Sequence, residues 1–363
     1  MAELGHAEVK AWLVERDPAA LEGLWAEADR VRRERVGDAV HLRGLIEASN
    51  HCVRACHYCG LRAPSRLDRY RMTPEEILEA AREARRLGYG SVVIQAGEDP
   101  GLTEGLVAEA IRAIKADTPL AITLSLGERS DAELTTWKAA GADRYLLRFE
   151  TSDPDLYHLI HPDLPGRAGD QARDRFAQLR RMRAMGYEIG SGVMVGIPGQ
   201  TWDTLASDLL CFREFDLDMI GVGPFLPSPR TPMGGPDAAA YLAPRGQVPN
   251  DELTTLKAVA LTRLLCPAAN IPSTTALATL DREQGRELAL QRGANVVMPN
   301  VTPLAYRVRY EIYPGKACVN ETAAACQGCL EGRIRSLGRQ VGRGPWGRVN
   351  TECQESATSA FYR

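Results

Sequence analysis

No stretch of this sequence approaches the roughly 18–20 uninterrupted apolar residues that a bilayer-spanning helix requires. The first residues carry an early acid, Glu3, and lack the cationic-then-apolar pattern of a secretory signal, so a cytoplasmic location is expected. No Ser/Gly linker, charge block, low-complexity tract or internal repeat divides the chain, which excludes solenoid, collagen-like and coiled-coil bodies. Positive charge is not in excess either. The 44 Lys and Arg face 47 Asp and Glu, a net charge of −3 that gives no reason to expect a nucleic-acid partner. No G-x-G-x-x-G follows the first predicted strand, which argues against a dinucleotide site. What remains is a 363-residue chain, 44% apolar and 25% charged, large enough to bury a sizeable core.

Nine cysteines are present, at positions 52, 56, 59, 211, 266, 318, 326, 329 and 353, and six of them fall into two tight groups. In a reducing compartment such groups read as metal or cluster ligands rather than disulfides. Cys211 and Cys266 sit in helical patterns and read as small buried residues. Cys353 reads as incidental.

Short β-rich runs alternate with amphipathic helical stretches. A helical segment at 18–35 comes first. Strands are predicted at 41–47, 91–96, 121–126, 144–150, 188–195, 219–222, 271–275 and 295–298. Thr73-Pro74-Glu75-Glu76 supplies a cap, a proline at the first helical position and two acids favoured by the helix dipole. Ser130-Asp131, Thr201 and Asp251 open further helices, and Gly88 and Gly141 close two of them. Eight strand–helix units predict an α/β protein closed as a (β/α)8 TIM-type barrel. The expected division is an N-terminal helical segment (1–39), the barrel (40–300) and a C-terminal extension (301–363) without a further strand–helix repeat, packed over the barrel. In such barrels chemistry sits in the loops at the carboxyl ends of the strands. There stand Gly97-Glu98-Asp99, Ser125-Leu126-Gly127-Glu128 and Glu150-Thr151.

Cys52, Cys56 and Cys59, spaced C-x3-C-x2-C directly after the first strand, put three thiolates on one short loop. They can wrap a [4Fe–4S] cube and leave one iron open for a small chelating molecule. A four-ligand zinc site completed by His51 or His57 is the alternative.

These residues resemble the radical S-adenosylmethionine (SAM) superfamily, whose hallmark is this cysteine loop after the first barrel strand. Arg69-Tyr70-Arg71-Met72-Thr73-Pro74, Gln95-Ala96-Gly97-Glu98-Asp99-Pro100, Gly196-Ile197-Pro198-Gly199-Gln200-Thr201 and Asn295-Val296-Val297-Met298-Pro299-Asn300 narrow the resemblance to the [FeFe]-hydrogenase maturase family HydE. The match runs over roughly residues 40–345.

The resemblance implies an enzyme that reductively cleaves SAM to methionine and a 5′-deoxyadenosyl radical while the diiron centre of the hydrogenase is assembled. It further implies that Tyr58 covers the cluster and that Gly97, Glu98 and Asp99 receive SAM's amino group. Glu150 would take the ribose hydroxyls and Arg175 the carboxylate, with Ser125 and Tyr310 as further pocket residues. The bland alternative for Glu150 and Arg175 is an ordinary loop salt bridge. Arg144 and Arg148, read as pointing the same way from the fourth strand, and Thr274 and Thr275 are expected to anchor a small anionic organometallic or organic substrate. Two departures stand out: Phe149 where the family places histidine, and Ala96 where serine is common.

Cys318, Cys326 and Cys329 match an accessory iron–sulfur site, [2Fe–2S] or [4Fe–4S], with zinc or free thiols as alternatives. A reductant protein and sister maturases are the implied partners. Other readings are a methylornithine synthase-like enzyme, a biotin synthase-like enzyme (disfavoured because no cysteine lies between 59 and 211) and a non-catalytic iron–sulfur carrier.

Overall fold

The computed structural model describes residues 4–162 and 174–348; Cys353 lies outside them. The strands are β1 (Ala39–Ser49), β2 (Ser91–Ala96), β3 (Ala121–Ser125), β4 (Arg144–Leu146), β5 (Glu188–Val195), β6 (Met219–Pro224), β7 (Val296–Val297) and β8 (Gln340–Gly342). Their order is β6-β5-β4-β3-β2-β1-β7, with β8 also paired to β1, and every ladder is parallel. The apolar runs that form β1 to β3 are buried on both faces, as a parallel sheet covered by helices requires.

Closure does not use the expected seventh strand. The expected strand 271–275 is instead a short stretch, 270–274, bridged singly on either side, Met219 to Asn270 and Pro272 to Val296, before the helix Thr275–Leu280 begins. Pro272 has no N–H to give a ladder. A side chain substitutes: Asn295 Oδ1 accepts from Ile271 N at 2.8 Å and from Arg263 Nη2 at 3.0 Å. The segment thus serves as the seventh stave, and β6 and β7 are joined through it into the eight-stave (β/α)8 arrangement.

The fourth strand is also shorter than expected. It ends at Leu146 because the Ser191 hydroxyl takes the place of the ladder, donating to Leu147 O at 2.8 Å and accepting from Phe149 N at 3.1 Å. The strand signal through 147–150 is real: Leu147 N and Glu150 N still bond to the β5 backbone, at Gly190 O and Gly192 O, while Ser191 takes Leu147 O and Phe149 N.

Helix starts follow the sequence. Thr73 and Glu76 exchange reciprocal bonds, Glu76 N to Thr73 Oγ1 at 3.3 Å and Thr73 N to Glu76 Oε2 at 2.9 Å, a cap contributing about 1 kcal/mol. Ser130 and Glu133 repeat the device. The helices His6–Val14 and Pro18–Val36 pack against Trp202–Glu214 and Glu252–Leu265.

The C-terminal extension carries two helices, Leu304–Arg307 and Ala323–Ser336, and then β8. It touches both ends of the barrel. Residues 310–316 meet the carboxyl end, where Gly60 N donates to Ile312 O at 2.7 Å. Residues 345–347 cover the amino end, accepting from Arg144 Nη2 (Pro345 O, 2.8 Å), Arg43 Nη2 (Trp346 O, 3.2 Å) and Asn270 Nδ2 (Gly347 O, 3.0 Å).

Candidate cluster and SAM site

The chain leaves β1 at its carboxyl end and makes the cysteine loop. One arginine organises that loop from within: Arg69 donates to the carbonyls of Leu61, Arg62 and Ser65, each at 2.9 Å, and to that of Asn50. Asn50 ties the loop's two ends, donating to Asp68 O and accepting from Tyr70 N. Two glycines are required by close approach. A Cβ at Gly97 would lie 2.2 Å from His51 O and 2.8 Å from Cys52 Cβ, and one at Gly60 would lie 2.3 Å from Glu311 O. Gly97 therefore lets the loop after β2 lie directly on the cysteine loop, an approach reinforced by Val53 N donating to Glu98 O at 2.9 Å.

Cys56 is buried, and Cys52 and Cys59 are half-buried. Burial pushes the Cys56 thiol up to about 12 against the pull of nearby Arg175, and Cys52 and Cys59 are raised for the same reason. Thiols so raised ionise by giving their protons up to metal. Among the described residues no three His, Cys, Asp or Glu side chains gather tightly enough to hold a single metal ion. His57 instead stands edge-on to Tyr241 at 5.5 Å. The donor set suits a cube, which asks each thiolate to bind a different iron, better than zinc, which needs four ligands on one ion.

Beside the cysteines lies a charged network. Glu128 is almost wholly enclosed and accepts from Arg54 Nη2 at 3.0 Å and Arg175 Nε at 2.9 Å. Its own N–H donates to Glu98 Oε2 at 3.2 Å, and Glu98 stands 3.7 Å from Arg54. Burial raises Glu98, with Arg54 opposing. A buried carboxylate between two guanidiniums is tolerable only because both partners are in place. Arg175 is thus already engaged: besides Glu128 it donates to Arg148 O at 2.7 Å and lies over the Tyr157 ring. Asp99 is engaged too, by Arg71 at 2.8 Å through two nitrogens, by Ser49 Oγ at 2.6 Å and by Gly101 N at 2.8 Å.

Glu150 differs from both. It is buried, and one oxygen lies 3.2 Å from Arg148 Nε while Oε2 has no hydrogen-bond partner. Its φ is +64°, in the left-handed region that a non-glycine residue rarely adopts, at a cost of about 1–3 kcal/mol. Burial raises its carboxyl, with Arg148 and Arg175 opposing. A strained, buried carboxylate with a spare acceptor is what a vicinal diol donating two hydrogen bonds would complete.

The remaining expected residues divide. The Tyr58 hydroxyl meets His161 Nε2 at 3.0 Å beneath a small apolar cluster of Leu156, Ile160, Ile197, Phe225 and Met233. Ser125 ends β3 opposite Gln95, whose amide donates to the hydroxyl of buried Tyr310 at 3.1 Å. Thr274 caps the helix Thr275–Leu280 close to Gly223, and Thr275 begins that helix. With Arg148, these two stand at the carboxyl mouth. Arg144 does not. It is buried at the amino end, donating to Glu188 Oε2 at 2.6 Å and to the C-terminal cover. The pleat between Arg144 and Arg148 is broken after Leu146, so the two do not form the pair the sequence suggested.

Phe149 faces away from the barrel axis. It packs on Phe176 at 4.9 Å and Phe212 at 5.7 Å, so the departure from histidine is one of helix–sheet packing.

In the C-terminal group, Cys326 and Cys329 lie three residues apart on one helix, and Cys318 sits at φ +59°. The Cys318 and Cys326 thiols act on each other, Cys326 holding Cys318 below its usual value and Cys318 raising Cys326.

Sequence reasoning missed several groups. Arg54 and Glu128 stood inside quoted motifs without a role. Lys316, paired with buried Glu47 inside the mouth and lying over the Tyr310 ring, carried no local signal at all. Asn300 Nδ2 completes that pair at 2.9 Å.

The chain belongs to the radical SAM superfamily: the model of that family matches residues 46–210. Within it, the chain is 47% identical over 327 residues to the [FeFe] hydrogenase maturase subunit HydE of Thermotoga maritima, covering 90% of this chain and 88% of that one. It is a radical SAM enzyme of the HydE-like maturase type. Among solved structures, methylornithine synthase matches with a TM-score of 0.75 at 25% identity, covering 94% of this chain and 95% of that one. The maturase HydG of Carboxydothermus hydrogenoformans matches in fold, with a TM-score of 0.73 at 19% identity over 92% and 75%. Membership implies a [4Fe–4S] cluster and SAM. No described helix is long and apolar enough to cross a membrane.

Proposed function

We propose that this enzyme cleaves SAM reductively at the carboxyl mouth of the barrel, and that the resulting radical acts on a small organometallic iron–cysteine species during assembly of the [FeFe]-hydrogenase diiron centre. The observation that carries the site assignment is the convergence, at one end of one barrel, of a three-thiol loop and a buried Glu150 whose second oxygen is unpartnered.

When bound, the cluster supplies the electron for SAM cleavage and an open coordination position for SAM's amino and carboxylate groups. The protein's residues do the rest. Cys52, Cys56 and Cys59 hold the cluster. Gly97 admits the second loop against it, and Glu98 offers negative charge to the amino group. Arg175 and Arg54, held on Glu128, offer positive charge to the carboxylate, a task suited to guanidinium. Glu150 takes the ribose hydroxyls, with Ser125 and Tyr310 lining the pocket. Asp99, with every oxygen engaged, fixes the loop through Arg71 and Ser49. Arg148, Thr274 and Thr275 are the substrate anchors nearest the mouth, and the enclosed Lys316–Glu47 pair helps exclude water from a primary carbon radical.

Cys318, Cys326 and Cys329 are assigned to an accessory iron–sulfur cluster not needed for SAM cleavage. A cytoplasmic reductant protein and sister maturases complete the proposal. Methylornithine synthase supplies the rival reading, a carbon-skeleton mutase on a small amino acid.

The test is a substrate comparison with the anaerobically reconstituted, reduced enzyme. Stimulation of 5′-deoxyadenosine formation by a synthetic cysteine-ligated iron carbonyl cyanide complex supports the maturase reading. Conversion of lysine to 3-methylornithine, without a response to that complex, overturns it.

A further inference from the structure

We propose that Asp208, on the helix Trp202–Glu214, is a positioning residue that holds Glu150 in the backbone conformation from which it meets SAM's ribose. The inference rests on the SAM reading of Glu150 given above.

Glu150 sits at φ +64°, a conformation that a glutamate rarely adopts, so surrounding contacts must hold it. The backbone around it supplies two bonds, Glu150 N to Gly192 O at 3.0 Å and, across the turn, Thr151 N to Phe149 O at 2.9 Å. Immediately downstream, one carboxylate oxygen gathers the chain. Asp208 Oδ1 accepts from Thr151 Oγ1 at 3.2 Å, Ser152 N at 2.5 Å and Ser152 Oγ at 2.7 Å. Its other oxygen, Oδ2, accepts from Gln200 Nε2 at 3.4 Å. Gln200 in turn accepts from Gly196 N at 2.7 Å and donates to Met194 O at 3.0 Å. Asp208 therefore links the loop after β4, which carries Glu150, to the turn after β5.

Asp208 is fully enclosed, and these donors are hydroxyls, an amide and a backbone N–H rather than a cation. Burial pushes its carboxyl up to about 7 even though all four bonds act to lower it. A buried carboxylate held this way is costly, and a helix needs no aspartate there. Its acceptors are matched instead to the two residues that follow Glu150. Removing it would free Thr151 and Ser152, and Glu150 would relax towards a negative φ, carrying its carboxylate off the position the diol requires.

The experiment measures binding of SAM and of 2′-deoxy-SAM, which lacks one ribose hydroxyl, to the cluster-loaded protein, reading the SAM-induced change in the cluster's electron paramagnetic resonance spectrum. Wild type is expected to prefer SAM over the deoxy analogue. Asp208→Ala is expected to weaken SAM binding at least tenfold and to erase that preference. In a Glu150→Gln background the same change should cost less than twofold, because the group it positions is already altered. A loss equal for both ligands, or equal in both backgrounds, would overturn the proposal and leave Asp208 a general stabiliser. Should Asp208→Ala not fold, the pair Thr151→Val and Ser152→Ala removes the side-chain donors instead. Retained preference for SAM in that variant also overturns it. If wild type itself binds no SAM, the site reading beneath the proposal fails, a result separable from an effect confined to Asp208.

Discussion

Arg148 Nε stands 3.2 Å from one oxygen of Glu150 and leaves the other without a hydrogen-bond partner, although both residues follow the same broken strand. The pair is half of an interaction: a buried acid with charge balanced on one side and an acceptor open on the other. Leaving such an acceptor unmade costs about 1–3 kcal/mol, so a ligand that completes it gains that much specificity.

From this follows the first prediction. Glu150→Gln keeps the shape but replaces the acceptor pair with one acceptor and one donor. SAM affinity should fall tenfold or more, about 1.4 kcal/mol, while thermal stability stays equal or rises because a strained buried charge is gone. Equilibrium titration with SAM and a melting curve check both halves.

Arg69 is expected to matter for folding rather than for SAM contact. Arg69→Ala would strand the carbonyls of Leu61, Arg62 and Ser65, which it now satisfies at 2.9 Å. A loss of about 3 kcal/mol is expected for several buried bonds from one charged group. Chemical denaturation gives the stability, and iron content after reconstitution should fall with it.

Asp99 predicts a pH dependence. Burial raises its carboxyl, but the bonds from Arg71, Ser49 and Gly101 outweigh that and hold it below its usual 3.8. A carboxyl lowered in the folded state gives stability that is fully present above 3.8 and lost as pH falls through the lower folded value. The stability gap between wild type and Asp99→Asn should therefore be constant above about pH 5 and shrink as the pH drops below 3.8. A gap that widens with acid would contradict the assignment.

The accessory thiols give a contrast. Cys326→Ala removes one of the three thiols of the C-terminal group, so the iron bound per chain should drop by the content of one cluster. SAM cleavage should be kept within about twofold, since this group lies on the extension rather than in the loop after β1. Loss of cleavage would make the second site part of the reaction.

Much of this was legible in the sequence where the physics is local. Val92-Val93-Ile94 can only be a doubly buried strand, and β2 and β5 run where the pattern puts them. The caps at Thr73 and Ser130 depend on residues three apart and were equally plain. The cysteine loop was legible because ligand spacing is itself local. What escaped depends on distant partners. β4 stops early because of Ser191, and the seventh stave is held by Asn295; neither residue signals this in its own surroundings. Arg144 looked like a neighbour of Arg148 because pleat counting assumes an unbroken strand. Asp208 carried no signal, since nothing near it in sequence shows that Thr151 and Ser152 arrive at its carboxylate. Phe149 packs on Phe176 and Phe212, partners that its own surroundings do not announce.

The most direct measurement compares wild type with Cys56→Ala, both reconstituted anaerobically with iron and sulfide, reduced with dithionite and given SAM. Wild type should form 5′-deoxyadenosine and methionine in equal amounts, and the variant should form neither while retaining the iron of the C-terminal site. Equal product from both proteins, or none from a wild type whose reduced cluster demonstrably binds SAM, would contradict the account of this barrel as a radical SAM active site.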